Sequence, residues 1–579
     1  MNKIILSFAA LIIILSKSAS AQVLYFNGLG RALVTNDDLQ GNVNYNDSKT
    51  TRKATGGYSL FDLGVNVQPS EYLRAAATIR ARNAFGGFYG DGSVITFRQI
   101  KLDGIISKKV KYEIGDIDLQ LSPYTLFNSY DGYYDHEAEI FAQRRKIVYY
   151  ENFNNGNKWR LQGANVSATL VFDKGIEKIG IQAFVTRIAR ANYFNNIIPD
   201  RLQYGGRVDV LQSKNFQAGL NYIALTDLAG TSPSPAVVLN NQVMTGDFKF
   251  NFDVSNVTFS IYGEGGGSNY KYTAADSSRS KQDYFYDAGV SASYKPAKLK
   301  VYASYRNVGA DFNSPGAQTR RVFDYGTNAL FPTYTLDGTS TTRTNSLLDR
   351  YSDDGKVRNT TIMDTLVQYN PMYNNITPYG LATPNRQGVT VGASVGDDEK
   401  IWKADVVMNL LSELRPEINN GSRNYMGLKG GFKVNLHKIW NFEKAIVLTG
   451  GANYEHTTRT LAPNKIDLSS TTIDAGAVIE VLKTLDVLVG YKILQAYGNE
   501  FYSKRDVFNV VVTNPVSVFN YKYTQSVIAT GLRLRHSKNA FTTVQYHALN
   551  VTDAQNLTLD KKPTHYIINQ VFINYTLVF

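Results

Sequence analysis

The chain has 579 residues, 61 Lys and Arg against 49 Asp and Glu, a formal net charge of +12 and no Cys. Without Cys there is no disulfide framework, no thiolate metal or nucleophile chemistry and no lipid-anchored N-terminal thiol. No window beyond the N-terminus approaches the ~20 apolar residues of a spanning helix, so a mean hydropathy of −0.25 leaves a soluble protein or one that crosses a membrane as strands, which hide their apolar surface in alternation.

Taken from the N-terminus, residues 1–21 carry Lys3, an apolar run from Ile4 to Leu15 and the small-x-small triplet Ala19-Ser20-Ala21. This is the pattern of a cleaved secretory signal peptide, and it makes residues 22–579 the expected mature part. Val23 to Val34 already reads as strand. In Leu73 to Arg82, Leu73, Ala75, Ala77, Ile79 and Ala81 share one face, and Arg74, Thr78, Arg80 and Arg82 the other. Leu299 to Arg306 and Tyr425 to Leu436 alternate in the same way, with Lys300 and Arg306, then Lys429 and Lys433, on the polar side. Period two is the mark of a sheet with two different faces.

The last segment, Tyr566 to Phe579, reads YIINQVFINYTLVF. Val571, Ile573, Tyr575, Leu577 and Phe579 fall on one parity, and Gln570, Phe572, Asn574, Thr576 and Val578 on the other, more polar one. One face suits lipid and the other a watery interior. The chain resembles a bacterial outer-membrane β-barrel, and that resemblance implies that Phe579 is the signal read by the barrel-insertion machinery. The 39 Tyr, 29 Phe and 46 Gly against 15 Pro suit aromatic girdles and twisted strands.

Connections alternate short and long. Short polar turns stand at residues 68–71, 107–108, 173–175, 213–215, 255–256, 296–298, 397–399, 441–443, 483–484 and 537–539. Longer stretches lie between them, at about 34–56, 120–157, 190–201, 227–241, 268–281, 310–387, 415–423, 460–469, 498–522 and 553–565. Tight periplasmic turns opposite long external loops are expected of a transmembrane barrel and not of a sandwich or propeller. The fold class is therefore all-β: one transmembrane antiparallel barrel of about 22 strands, with 18–24 as the range.

Where parity is clear, the polar face carries Arg74, Arg80, Arg82, Lys101, Lys300, Arg306, Lys429, Lys433, Arg533 and Arg535, with Asp103 and Glu455 among few acids. Arg80, Arg82, Lys429, Lys433, Arg533 and Arg535 are the lumen-lining candidates. A basic lumen would favour anionic solutes; alternatively these cations pair with loop carboxylates or lipopolysaccharide phosphates. The stretch at about 310–387 holds Pro315, Pro332, Pro371, Pro378 and Pro384 and is too long for a simple connection. Folded inward it would narrow the pore, and folded outward it would form a lid or partner surface, with Asn385 and Arg386 as candidate constriction or partner contacts. Tyr124 to Tyr150 holds Asp131, Asp135, His136, Glu137 and Glu139 ahead of Arg144, Arg145 and Lys146. Without EF-hand spacing it reads as a solvated loop and not as a Ca²⁺ site, so no metal or other cofactor is expected.

Three segments narrow the resemblance: NPMYNNITPYGLATPNRQG at residues 370–388, Ile114-Gly115-Asp116 leading into Leu121-Ser122-Pro123-Tyr124, and Tyr150 to Asn157 with Gln162-Gly163-Ala164-Asn165. On these the chain resembles a family of uncharacterised Bacteroidota outer-membrane proteins, a resemblance that implies place and architecture and brings no site residues. No G-x-S-x-G or H-E-x-x-H motif occurs, and of the six His, His437, His536, His547 and His565 read as interfacial polar residues, so catalysis is not expected. An energised receptor would place a plug domain ahead of its first strand, where this chain already reads as strand. The basic residues are scattered on strands and not gathered on a helix, which argues against nucleic acid as a partner. The expectation is a passive, porin-like channel among outer-membrane lipid and lipopolysaccharide; the alternative is a non-conducting platform for an envelope protein complex of secretion, gliding or nutrient uptake.

Overall fold

The computed structural model describes residues 23–42, 52–86, 92–129, 136–152, 156–191, 198–232, 238–274, 277–319, 334–336, 339–341, 346–348, 351, 362, 366, 369–397, 399–416, 421–461, 464–502, 517–557 and 563–579. The expected signal peptide lies outside them. The barrel strands are β1 Val23–Asn42, β2 Lys53–Ser70, β3 Leu73–Ala84, β4 Ser93–Ile106, β5 Val110–Leu119, β6 Trp159–Val171, β7 Lys178–Ala189, β8 Arg201–Ser213, β9 Phe216–Asp227, β10 Val238–Val254, β11 Val257–Ala274, β12 Ser277–Tyr294 and β13 Leu299–Val308. They continue as β14 Arg386–Gly396, β15 Trp402–Ser412, β16 Asn424–Asn435, β17 Ile446–Arg459, β18 Ile466–Leu482, β19 Leu485–Tyr502, β20 Ser517–Arg535, β21 Ala540–Leu557 and β22 Pro563–Val578. Each pairs antiparallel with its sequence neighbour, and β1 pairs with β22 from Leu29 opposite Val578 to Asn42 opposite His565. The ring of 22 strands is closed, which leaves no unpaired edge.

The exterior is apolar, as a lipid-facing wall requires. On β22, Val571, Ile573 and Tyr575 face out, while Gln570, Asn574 and Thr576 are buried inside. Phe579 closes the seam: its backbone exchanges hydrogen bonds with Gly28, 2.8 and 3.1 Å, and its ring stacks on Phe61 at 5.7 Å. The fold is that of an outer-membrane β-barrel.

Two expectations need correction. Much of what reads as external loop is strand: β1 has 20 residues and β11 and β12 have 18 each, well beyond the ~9–11 that cross hydrocarbon. Above the membrane the outer face no longer has to be apolar, so alternation fades although the hydrogen-bonded ladder continues. The hairpin connection between β3 and β4, about residues 85–92, is also absent from the expected long stretches.

The second correction concerns Tyr124 to Tyr150. Within it lies a helix, α1 Glu139–Asn152, and not a solvated loop: Ile140, Phe141, Arg144, Ile147 and Val148 are buried inside the barrel against β18, β19 and β20. The inner wall makes room with glycine. A Cβ on Gly476 would stand 2.5 Å from the Ala138 methyl, and one on Gly490 2.6 Å from the Ile140 side chain, too close for any other residue without displacement. A short helix, α2 Leu436–Trp440, occupies the turn between β16 and β17.

Candidate functional site

The inner face of the barrel is covered by two connections that fold inward and interlock. The first follows β5 and contains α1; the second follows β13 and ends at β14. Phe127 N–H donates to Gly316 O at 2.9 Å, Ser129 N–H to the Thr319 hydroxyl at 2.6 Å, and Trp159 Nε1–H to Gly316 O at 2.9 Å. The long connection thus turns inward over its described residues. Two large apolar clusters result, beside two smaller ones at Tyr58 and Ile376. One joins Phe141, Leu347, Leu348, Met372 and Tyr373 to the inner faces of β18–β22. The other joins Tyr124, Leu126, Phe312 and Ala382 to β7, β9, β10 and β11.

Buried charge ties α1 down at both ends. Ahead of its first turn, Glu137 takes a two-pronged bond from Arg145, 2.6 and 2.8 Å, a hydrogen bond from the Tyr351 hydroxyl at 2.6 Å and the Lys492 ammonium from β19. Lys492 also lies 2.8 Å from Asp474. Burial pushes the Glu137 carboxyl up, but Arg145 and Lys492 outweigh it and hold it at about 2. At the other end, Tyr150 donates to Asp62 at 2.6 Å, and Glu151 accepts from Arg31 at 2.5 Å and Tyr58 at 2.7 Å.

The six lumen candidates occupy the inward parity. Arg80 binds Asp62 through two bonds, 2.7 and 2.8 Å, and donates to Glu151 O. Arg82 lies over the Tyr58 ring at 3.9 Å and 3.9 Å from Glu151. Arg533 bridges Asp486 at 2.9 Å and Glu139 at 3.0 Å, and Arg535 meets Asp486 at 2.9 Å. Lys429 lines the cavity described below. Lys433 shares the parity of Gly431 and Lys429, and a Cβ on Gly431 would meet the luminal His136 ring. Asn385, at φ 61°, accepts from Leu414 N–H and Arg415 N–H at 3.1 and 2.9 Å. Arg386 donates to Ile376 O and Asn375 O, 2.9 and 3.2 Å, with its guanidinium 3.9 Å above the Tyr425 ring. Both pin the inward segment.

An interior with few acids is not what the strands present. Asp62, Asp474, Asp486, Glu413, Glu455 and Glu500 all face inward beside cations or loop N–H groups. Glu455 keeps the polar-face place expected of it, and the other five are acids that the expectation of a basic lumen left out. His547 is likewise interior, fully buried beside the Phe141 ring at 5.9 Å, and not interfacial. Arg98 escaped notice because of a bulge: the β3–β4 register jumps from Thr78 opposite Gln99 to Ile79 opposite Phe97. The extra residue aims Arg98 inward to Asp62 at 2.8 Å, its guanidinium 4.0 Å over the Tyr150 ring. The signal was present as a break in outward parity, from Ile95 and Phe97 to Ile100 and Leu102.

Between the long connection and β11–β17 remains a cavity of about 450 Å³. Its wall includes Asp287, Arg306, Thr390, Asn409, Lys429 and Glu455, and the connection covers it with Asn374, Ile376 and Thr377. Among the described residues no group of three or more His, Asp or Glu is arranged to hold a metal.

No family model matches the chain, and no curated protein sequence matches it. Solved structures similar to it include OpdK of Pseudomonas aeruginosa with vanillate, at 9% identity and TM-score 0.35 over 95% of this chain and 99% of that one. A BenF-like porin from Pseudomonas fluorescens is similar at 8% identity and TM-score 0.34 over 96% and 99%. The outer-membrane channel DcaP of Acinetobacter baumannii is similar at 9% identity and TM-score 0.28 over 97% and 99%. These likenesses are too distant to bring a solute or mechanism with them.

Proposed function

We propose that this chain is a porin-like outer-membrane channel, constricted by two interlocked connections and passing small polar solutes. The observation that carries the reading is the cavity of about 450 Å³ between the inward connection and the barrel wall, lined by charged, amide and apolar side chains. Because Arg80, Arg533 and Arg535 face carboxylates at 2.9 Å or less, their fields are largely cancelled a few ångströms away. Any anion preference is accordingly weak, because in the cavity Arg306 and Lys429 share the wall with Asp287 and Glu455.

The test is single-channel recording in planar bilayers with a KCl gradient. Small, stable steps with a reversal potential slightly on the anion side support the reading. A barrel that inserts and stays silent overturns it in favour of a second reading, a non-conducting platform for an envelope partner. The specific observation favouring the second is the depth of the interlock, with both connections bonded to each other and buried against the wall.

A further inference from the structure

Two tyrosines line the cavity in the same manner. Tyr262 on β11 stands opposite Gly289 on β12, and Tyr302 on β13 stands opposite Gly392 on β14. Each ring leans across the wall onto the glycine of the next strand. A Cβ on Gly289 would stand 2.6 Å from the Tyr262 hydroxyl oxygen, and one on Gly392 2.5 Å from that of Tyr302. Glycine inside a strand gives up a packed side chain and often marks a close approach; here the room it leaves is taken by a ring laid along the wall. Such a ring rests one face on the backbone and turns the other to the chamber, and both tyrosines are half-buried.

The bonding groups beside these rings are neutral. Neither phenol hydroxyl has a hydrogen-bond partner among the described residues. Ser304 and Asn409 stand in the same ladder row as Tyr262 and Gly289 and also line the cavity. Asn409 Oδ1 accepts from the Thr390 hydroxyl at 2.8 Å, which leaves its amide donors for the chamber. The charged neighbours are engaged or closed off: Glu455 accepts from Asn375 N–H at 2.8 Å and Asp287 from the Tyr124 hydroxyl at 2.7 Å, Lys429 interacts within the fold, and the open atoms of Arg306 and Asp287 are buried.

Aromatic faces flanked by hydroxyl and amide groups match a solute with apolar C–H faces and a rim of hydroxyls. We infer that the cavity binds an uncharged saccharide of two or three rings, stacked on Tyr262 and Tyr302 and hydrogen-bonded by Ser304, Asn409 and the phenol oxygens. The two tyrosines are two strands apart, ~9–10 Å, so one sugar ring does not cover both. A cavity of about 450 Å³ is within the range that encloses small ligands. A simple ion would shed its hydration there without reaching a counter-charge, and a wholly apolar solute would leave the hydroxyls and the amide unbonded. The inference deepens the channel reading by naming its solute, and rests on that reading for the route by which the solute arrives.

The test is calorimetric titration of the full chain in an amine-oxide detergent, whose headgroup carries no sugar, with maltotriose, cellotriose, the open-chain polyol sorbitol and L-alanyl-L-alanine. At least one trisaccharide should bind with Kd below ~10 mM, and sorbitol and the dipeptide at least ~10-fold more weakly. Tyr262→Ala and Tyr302→Ala should each weaken trisaccharide binding at least ~10-fold through lost apolar contact. Tyr302→Phe, which keeps the ring, should weaken it only ~2–10-fold, the worth of one neutral hydrogen bond. The solute series needs only the unchanged chain, so it decides the matter even if a variant fails to fold. No binding of either trisaccharide up to ~10 mM, equal binding of sorbitol or the dipeptide, or full affinity in both alanine variants overturns the inference. A chain that binds a trisaccharide but is silent in bilayers retains this site and loses the channel, whereas conduction without binding does the reverse.

Discussion

The two sides of the lumen are built to different rules. Along β18–β22, strands of 16–19 residues stand behind α1, where Glu137, Arg145 and Lys492 form a closed set of buried ion pairs. Along β13–β16, the strands have only 10–12 residues, and Arg306 on β13 and Asp287 on the adjoining, longer β12 keep unpaired atoms at residues that line a cavity. The high side spends its charge on itself and is a tether. The low side leaves part of its charge without a hydrogen-bond partner. Buried charge in a pore is thus no guide to selectivity until its partners are known.

The contrast can be broken most strongly at Lys492. Lys492→Met leaves Glu137 short of one cation in a fully buried site and should cost ~3–5 kcal/mol, read as a lower midpoint in denaturant unfolding of the detergent-solubilised barrel. The double variant Lys492→Met with Glu137→Gln should recover part of the loss, and a single variant as stable as the parent would refute the tether. Next in size, Gly490→Val drives a side chain into Ile140 and Phe141 and should cost ~1–3 kcal/mol by overpacking. By displacing α1 it should also enlarge the single-channel conductance, and unchanged conductance would mean that α1 does not obstruct the pore.

Removing the guanidinium in Arg386→Ala frees the carbonyls of Asn375 and Ile376, a loss of ~1.5–3 kcal/mol that should show as faster proteolysis of the segment ahead of β14. Acid tests the tether without mutation. The Glu137 carboxyl is held at about 2, below its ordinary 4.5, so its stabilising contribution is full above pH 4.5 and is lost as pH falls through 2. Hydrogen exchange of α1 should rise over that interval, and a flat profile would exclude Glu137 as the anchor. The smallest effect is expected on the low side: Arg306→Met removes a guanidinium that makes one hydrogen bond and should leave stability within ~1 kcal/mol.

Parts of this comparison were legible in the residues, and parts were not. Arg80 and Arg533 are placed inward by parity because a strand reverses its side chains at every residue. Arg98 was missed because one bulged residue defeats that count. Arg386 was singled out for its polar, proline-rich surroundings, but its grip on the carbonyls of Asn375 and Ile376 belongs to a fold of the connection that no periodicity encodes.

By itself the sequence determined a membrane barrel, its count of about 22 strands, the end that carries the short turns and the faces of its regular strands. Those features follow from local periods of two and from turn residues, each confined to a few neighbours in the chain. Only the tertiary structure decided that the lumen is filled. The bonds that fill it join Glu137 to Lys492, 355 residues apart, and Ser129 to Thr319, 190 apart. Such contacts depend on the closed ring bringing distant strands around the same interior, where a loop's buried charges and apolar side chains find partners that no local pattern announces.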